Sequence, residues 1–548
     1  MEEKRHLLNI VEQLQVVSEN NDISQITLQD INEVREEIAN FVILLPLMGS
    51  FNAGKSSLLN SFLNRDFLPV NIVPETAVAT EIHYGEEEKL IGKRKNGKLE
   101  QLDLTQLSMV SSKDYICLYL YLNEEILLKY KDIILVDMPG VDSTVEEHNQ
   151  AIMNYIRDGV SYIILADVEH GLKESTMQLL DELNLYDIPF SVLLTKTDRK
   201  LPKDINEMKM HVTEIVHTYS EDDNTYVGLV SAKKGEIADF HRVLSNLDKE
   251  KLTSIQLVPK VDILVGSVKR ELDLQLNHLV SEDSNLDQTI RQLQRNLKEI
   301  NDEIGFEEKV IEQRFREEAV VQILDDVEEA LERNVTALAK AGQSGDKAFT
   351  QAVNSIIRPV VLKSADMNVQ EILNDSAVSI SEKLINLQTK SELFTGALQK
   401  QADSFSRFVK VISDPKYRVA VGGAAILTTI VAPWIELIVF FLPEILKIFV
   451  NNQKKLEEQI RHELIPEIIS KLRPEVQTSL LNVKDQFVEN MRKELEKEKE
   501  TIVTAIHQAE EQKKADEHKQ NTKIKQLQEA LEQIQQLENV LFKESVVQ

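Results

Sequence analysis

Residues Gly49-Ser50-Phe51-Asn52-Ala53-Gly54-Lys55-Ser56 fit the pattern G-x-x-x-x-G-K-S. The spacing suits an anion. A wide loop must wrap its backbone N–H groups around a β-phosphate, and glycines permit both the turn and the close approach. Gly49, Asn52, Ala53, Gly54, Lys55, Ser56 and Ser57 are therefore expected around the nucleotide phosphates. Lys55 can reach the β- and γ-phosphates, and the Ser56 hydroxyl can ligate Mg²⁺. Apolar Leu58 and Leu59 continue a helix whose positive N-terminal end faces the anion. The bland rival is a chance strand–loop–helix connection, which has no need of the full pattern.

Further along, Asp137-Met138-Pro139-Gly140 follows the apolar run Ile133–Val136. An aspartate there can hold magnesium through water, and the Gly140 N–H can meet a γ-phosphate. Between the two motifs, Val73–Thr80 offers a threonine whose hydroxyl could sit on magnesium, ordering only with the triphosphate. Thr76 is the first choice and Thr80 its rival; either could instead be an ordinary strand or turn residue. Thr195-Lys196-Thr197-Asp198 supplies a carboxylate that can accept from guanine N1–H and the 2-amino group, a pair adenine lacks. The Lys196 stem can lie along the purine face. Ser231-Ala232-Lys233 follows, with a backbone N–H for guanine O6. Alone each short motif is common; together, in this order after a phosphate loop, they favour GTP over ATP.

These residues need a scaffold that delivers them to one edge. Residues 41–48, 132–137, 161–166, 190–195 and 226–230 read as short buried strands. Each leads into a turn or a helical pattern, the grammar of a parallel-dominated α/β sheet with flanking helices. Residues 2–19 and 28–39 read as helices. From about 255 onward apolar residues recur every three or four positions, so the second half reads as an extended all-helical bundle. Ile524, Leu527, Leu531, Ile534, Leu537 and Leu541 form one stripe, expected as a packing seam rather than a dimerising coiled coil. Helix breaks are expected at Ala341–Asp346, Arg358–Pro359 and Asp414–Pro415.

At 548 residues the chain exceeds one compact core, and its 42% hydrophobic and 28% charged composition suits a soluble globular protein. The formal charge of −28 repels phosphate backbones, so no nucleic-acid partner is expected. The single cysteine, Cys117, excludes an intramolecular disulfide framework. With no secretory signal at MEEKRHLLNI, it points to the cytoplasm.

Residues 419–435, VAVGGAAILTTIVAPWI, carry no charge. As a helix this run covers about 25 Å, short of a bilayer core of roughly 30 Å. Pro433 divides it, so two short helices could enter one leaflet without spanning it. Ile426, Leu427, Ile430, Trp434, Phe440 and Phe441 are the lipid-contact candidates, and Lys410, Lys416, Arg418, Lys454 and Lys455 suit anionic headgroups. A helix pair buried in a trunk would look similar, and a true span is a third reading.

The segments GSFNAGKSSLLNSFL (49–63), LPVNIVPETAVATEIHYG (68–85), VDMPGVDS (136–143) and LTKTD (194–198) resemble the dynamin superfamily of large GTPases, above all its bacterial members. The strand-rich insert at 85–131 and the helical remainder are similar to that group too. The resemblance implies a GTPase domain on a helical neck and trunk, self-association through paired GTPase domains, and a tip touching lipid. Small Ras-type GTPases place a water-orienting glutamine where this chain has Val141. Dynamins are expected to use the phosphate loop, the switch-threonine backbone and a monovalent cation instead. Asn52 stands where potassium-activated GTPases carry a cation-binding asparagine, which makes K⁺ a second candidate cofactor beside Mg²⁺. A loop-capping asparagine is the plainer reading.

The expected domains are N-terminal helices at 1–40 packing with the neck, a GTPase domain at 41–250, and a helical neck and trunk at 251–548 with the tip candidate at 419–450. The expected activity is hydrolysis of GTP to GDP and phosphate, coupled to trunk movement and membrane association at the inner face of the cell membrane. Two rivals remain: a slow GTP switch that recruits a protein partner, and a nucleotide-controlled helical scaffold.

Overall fold

The computed structural model describes residues 1–70, 78–140, 155, 161–185, 188–219, 225–280, 286–388, 453–513 and 517–543. Thr76, Val141, the predicted break at Asp414–Pro415 and the whole segment 419–450, with Ile426, Leu427, Ile430, Trp434, Phe440 and Phe441, lie outside them.

Every predicted strand is present, its ends within two residues of those expected. They are β1 (Ile43–Gly49), β6 (Ile133–Asp137), β7 (Tyr162–Asp167), β8 (Phe190–Thr195) and β9 (Val227–Leu229). With β2 (Ala79–Tyr84), β3 (Lys89–Arg94), β4 (Leu99–Leu102) and β5 (Tyr115–Leu122) they form a nine-stranded sheet, ordered β4-β3-β5-β2-β6-β1-β7-β8-β9. β1 runs parallel to β6 and β7, and β8 parallel to β7 and β9. Direction reverses between β6 and β2, where Thr80 sits opposite Asp137. The near-continuous burial of β1, β6, β7 and β8 is what a sheet covered on both faces demands. In consequence Gly49, Asp137, Asp167, Thr195 and the residues after β9 end on one side of the sheet, where open α/β sheets take ligands.

Two helices precede the sheet, α1 (Glu2–Asn20) and α2 (Gln25–Asn40). The second starts three residues before the expected 28 because Ser24 caps it, its hydroxyl accepting the Thr27 N–H at 3.3 Å. Around the sheet lie α3 (Lys55–Leu63), α4 (Glu125–Lys129), α5 (Glu174–Leu185), α6 (Pro202–Tyr219) and α7 (Ala238–Asn246). The helical half follows: α8 (Lys249–Val280), α9 (Leu286–Arg314), α10 (Val320–Arg333), α11 (Val335–Gln343), α12 (Asp346–Gln388), α13 (Gln453–Gln459), α14 (Ile465–Lys513) and α15 (Glu517–Lys543).

The C-terminal stripe is a packing seam. Leu527, Ile534, Leu537 and Leu541 of α15 are buried with Leu7, Ile10 and Leu14 of α1 and Val261, Leu264, Val268 and Leu272 of α8. Each such side chain contributes about 1.5–3 kcal/mol by leaving water. A buried carboxylate locks the bundle: Glu271 of α8 accepts the Ser24 N–H at 2.8 Å, the Ser24 hydroxyl at 2.9 Å and the Thr27 hydroxyl. A separate apolar cluster joins Leu179, Leu180 and Leu183 of α5 to Phe349, Val353 and Ile357 of α12.

The predicted break at Ala341–Asp346 is present, α11 ending at Gln343 and α12 starting at Asp346 after Gly345 at φ +112°. The predicted break at Arg358–Pro359 is absent. α12 runs straight through Pro359. Phe349, Val353, Ile357, Val361, Ala365 and Val369, all buried and four residues apart, form one stripe on both sides of the proline. Their combined burial exceeds the roughly 3 kcal/mol that an interior proline costs.

Candidate nucleotide-binding site

The phosphate loop leaves β1 at Gly49, and here only glycine fits. A Cβ on Gly49 would stand 2.3 Å from the Leu165 carbonyl oxygen of β7. Gly54, at φ +94°, is the left-handed residue that turns the chain into α3. Asn52 is exposed at the loop's crest with φ +63°. Lys55 is buried, and its ammonium bonds the Gly49 and Ser50 carbonyls at 3.1 Å each, folding back over the loop. Gly54, Ser56 and Ser57 are half-buried and Ala53 is buried, its N–H donating to the Ser50 carbonyl at 3.0 Å.

The loop and the aspartate turn meet. Ser56 Oγ donates to Asp137 Oδ2 at 2.6 Å, although 81 residues separate them. Asp137 Oδ1 is buried and has no hydrogen-bond partner among the described residues. Burial pushes the Asp137 carboxyl up, against the opposing pull of the Ser56 hydroxyl and the Lys55 ammonium. A pair of hard oxygens with one lone-pair face unsatisfied is what magnesium favours. Among the described residues no group of three or more His, Cys, Asp and Glu could hold a metal. A cation beside Ser56 and Asp137 would therefore need further ligands from outside this pair, phosphate oxygens and water among them. Gly140 is buried just beyond the turn.

Of the two threonine candidates, Thr80 is a buried strand residue whose hydroxyl donates to the Val78 carbonyl at 3.1 Å. Near it, the Tyr155 hydroxyl donates to Glu81 Oε1 at 2.7 Å, tying β2 to the region beyond the aspartate turn.

Just after β8 the Asp198 carboxylate accepts from Ser231 Oγ at 2.8 Å, so the sheet brings the two distant motifs together. That hydroxyl, chiefly, holds the Asp198 carboxyl below the ordinary aspartate range, with Lys233 and Arg199 adding to it and burial opposing. Ser231 is fixed by reciprocal backbone bonds with Glu236, at 2.8 and 3.0 Å, around the 3₁₀ turn Ala232–Lys234. Lys196 adopts φ +58°, and its ammonium lies 2.7 Å from Asp167.

Thr195 links the base-reading strand end to the phosphate loop. Its hydroxyl donates towards Ala53 O at 2.6 Å and Ala166 O at 3.3 Å, and its single hydrogen is therefore engaged within the protein. Sequence reasoning also missed Asn60, whose amide takes the N–H groups of Phe67 and Leu68 and donates to the Leu68 carbonyl at 2.7 Å. An asparagine on an otherwise apolar helix face was the available signal.

The Dynamin family model matches residues 45–196. An uncharacterized protein of Caldicellulosiruptor sp. is 25% identical over 287 residues, covering 47% of this chain and 69% of its own. Dynamin-like protein 1 of Campylobacter jejuni is 24% identical over 331 residues, covering 50% of this chain but 45% of its own, so less than half of that relative is spanned. A solved bacterial dynamin pair, described as oligomerised and as sensing and tethering membranes, aligns with 96% of this chain and 95% of its own, at 14% identity and a TM-score of 0.35. The family match begins inside β1 and ends at Lys196, enclosing the loop, the aspartate turn and the end of β8 as one unit. Residues 45–196 therefore carry a GTPase domain of the dynamin type.

Proposed function

We propose that this GTPase binds GTP across the ends of β1, β6, β8 and β9, and that hydrolysis moves the helical trunk at a membrane surface. The observation that carries the site is the Ser56–Asp137 contact with its unpartnered carboxylate oxygen. Magnesium bound there would neutralise charge on the β- and γ-phosphates, and Ser56 and Thr76 would ligate it with Asp137 behind them. The protein's own part is positioning and charge stabilisation. Lys55, already turned over the loop, exchanges two carbonyl partners for phosphate oxygens. The Gly140 N–H meets the γ-phosphate. Asp198, held ionised by Ser231, selects guanine, and the Ala232 and Lys233 backbone lies beside its carbonyl edge. Asn52, exposed at the crest of the loop, is the candidate ligand for K⁺.

Trunk coupling is supported by the apolar cluster that runs from α5 into α12. Membrane contact rests on the sequence of 419–450 with its basic flanks. Among the described residues no helix is long and apolar enough to cross a membrane. A peripheral attachment to anionic lipid at the inner face of the membrane is the reading consistent with the segment's length.

The test is GTP turnover against protein concentration, with and without phosphatidylglycerol liposomes, in K⁺ and in Na⁺. Turnover per molecule should rise with concentration and again with lipid, and Lys55→Ala should abolish it. Turnover indifferent to both concentration and lipid would favour the slow switch. Equal rates in the two salts, unchanged in Asn52→Ala, would remove the K⁺ role. Flotation of Leu427→Asp/Ile430→Asp equal to that of wild type would remove the segment from membrane binding.

A further inference from the structure

Two ion pairs join the loop after β7 to the end of β8. Arg199 pairs with Glu169 at 3.0 Å, but their side chains are 52% and 35% exposed, so the pair adds little. Asp167 and Lys196 differ. Asp167 is 8% exposed. Its Oδ2 accepts the Lys196 ammonium at 2.7 Å, and its Oδ1 accepts the Glu169 N–H at 2.9 Å. Its carbonyl takes the N–H groups of His170 and Gly171 at 3.0 and 2.8 Å, and Gly171 closes the turn at φ +66°. The carboxylate is thus fixed on a tight turn and Lys196 is the movable partner. Burial alone would raise this carboxyl, but the Lys196 ammonium and the Glu169 N–H outweigh it and hold it below its ordinary value.

The sheet order gives the pair a direction. β7 lies between β1, which feeds the phosphate loop, and β8, which feeds Asp198. A Lys196 side chain drawn to Asp167 runs from the base-reading end towards the phosphate end, along the tips of the strands. Stretched that way, its methylene stem offers an apolar rail on which a purine can rest while its charge stays paired. Released, the same side chain is free to swing into water and must be ordered again at each binding event.

We propose that Asp167 is a positioning residue for guanine recognition, holding the Lys196 stem across the strand ends as the floor of the base site. The inference rests on the GTP reading given above. The floor serves substrate and transition state alike, so its loss belongs in KM and in GDP affinity, with kcat preserved.

The test is a double-mutant cycle on the full chain, reading the GDP dissociation constant and steady-state GTP turnover. Asp167→Asn should raise the constant about tenfold and leave kcat within about twofold. Asp167→Glu, which keeps the charge, should recover most of the loss. In a Lys196→Ala background Asp167→Asn should add nothing, because there is no stem left to hold. Equal losses in both backgrounds would overturn the proposal, since Asp167 would then be supporting its turn and not the lysine. A loss confined to kcat would overturn it too. Should Asp167→Asn fail to fold, Asp167→Ser against Lys196→Ala reads the same coupling. Wild-type protein without preference for GDP over ADP would defeat the GTP reading and this inference with it. A clear guanine preference with an unaffected Asp167→Asn would defeat the positioning role alone.

Discussion

The Thr195 hydroxyl donates to the Ala53 carbonyl at 2.6 Å, so the last residue of β8 is bonded to the middle of the phosphate loop. One side chain thereby tethers the candidate phosphate loop to the strand end that precedes Asp198. Thr195→Val keeps the shape but leaves a buried carbonyl unsatisfied, at a cost of about 1–3 kcal/mol. Urea unfolding should show that loss, together with weaker GDP binding, and Thr195→Ser should restore both. A valine variant as stable as wild type would contradict this account of the tether.

Asp137 should govern how much magnesium the enzyme needs. Asp137→Asn keeps the Ser56 contact geometry but weakens the negative end behind the metal. The Mg²⁺ concentration giving half-maximal turnover should rise on the order of 10–100-fold. Chelation by EDTA should stop turnover in wild type. An unchanged Mg²⁺ dependence in the variant would move the metal elsewhere.

Acid should release guanine late, and Ser231 sets how late. The Asp198 carboxyl is held below its ordinary range chiefly by the Ser231 hydroxyl, so it stays ionised as pH falls towards the usual aspartate value. Guanine affinity should be present above the lowered pKa and disappear as pH drops through it. Ser231→Ala lets the carboxyl rise, and loss of GDP binding should then begin at a higher pH. Measured dissociation constants between pH 7 and the onset of acid unfolding decide it (flat, superimposable profiles would exclude the coupling).

The buried Glu271 should matter to the helical bundle and not to the nucleotide. Glu271→Leu strands the Ser24 N–H and two hydroxyls that now share its oxygens. The expected destabilisation is about 2–3 kcal/mol, read by urea unfolding, with KM for GTP unchanged. A shift in KM instead would mean that the neck reaches the site more directly than its bonds suggest.

The site was readable where its residues are neighbours in the chain. Gly49, Gly54, Lys55 and Ser56 fit a phosphate-loop pattern by spacing, and the structure puts them where β1 leads into α3, as that pattern requires, with LTKTD at the end of β8. What pairs with what was not readable, because it depends on strand order. Nothing in the sequence says that β7 lies between β1 and β8, so neither Asp167 beside Lys196 nor Thr195 beside Ala53 could be foreseen. Asn60 and Glu271 escaped for another reason: a polar residue inside a helix reads as a surface position until its buried partners are seen. Pro359 misled by a local rule that a long buried stripe overrides.

The cluster that unites Leu180 and Leu183 with Phe349 and Val353 also takes in Val320, Leu464 and Val483. Among the described residues one apolar cluster thus reaches from the nucleotide sheet into the rods beside it. Heat that loosens α5 should therefore loosen α12 as well, so that melting of the two halves is coupled.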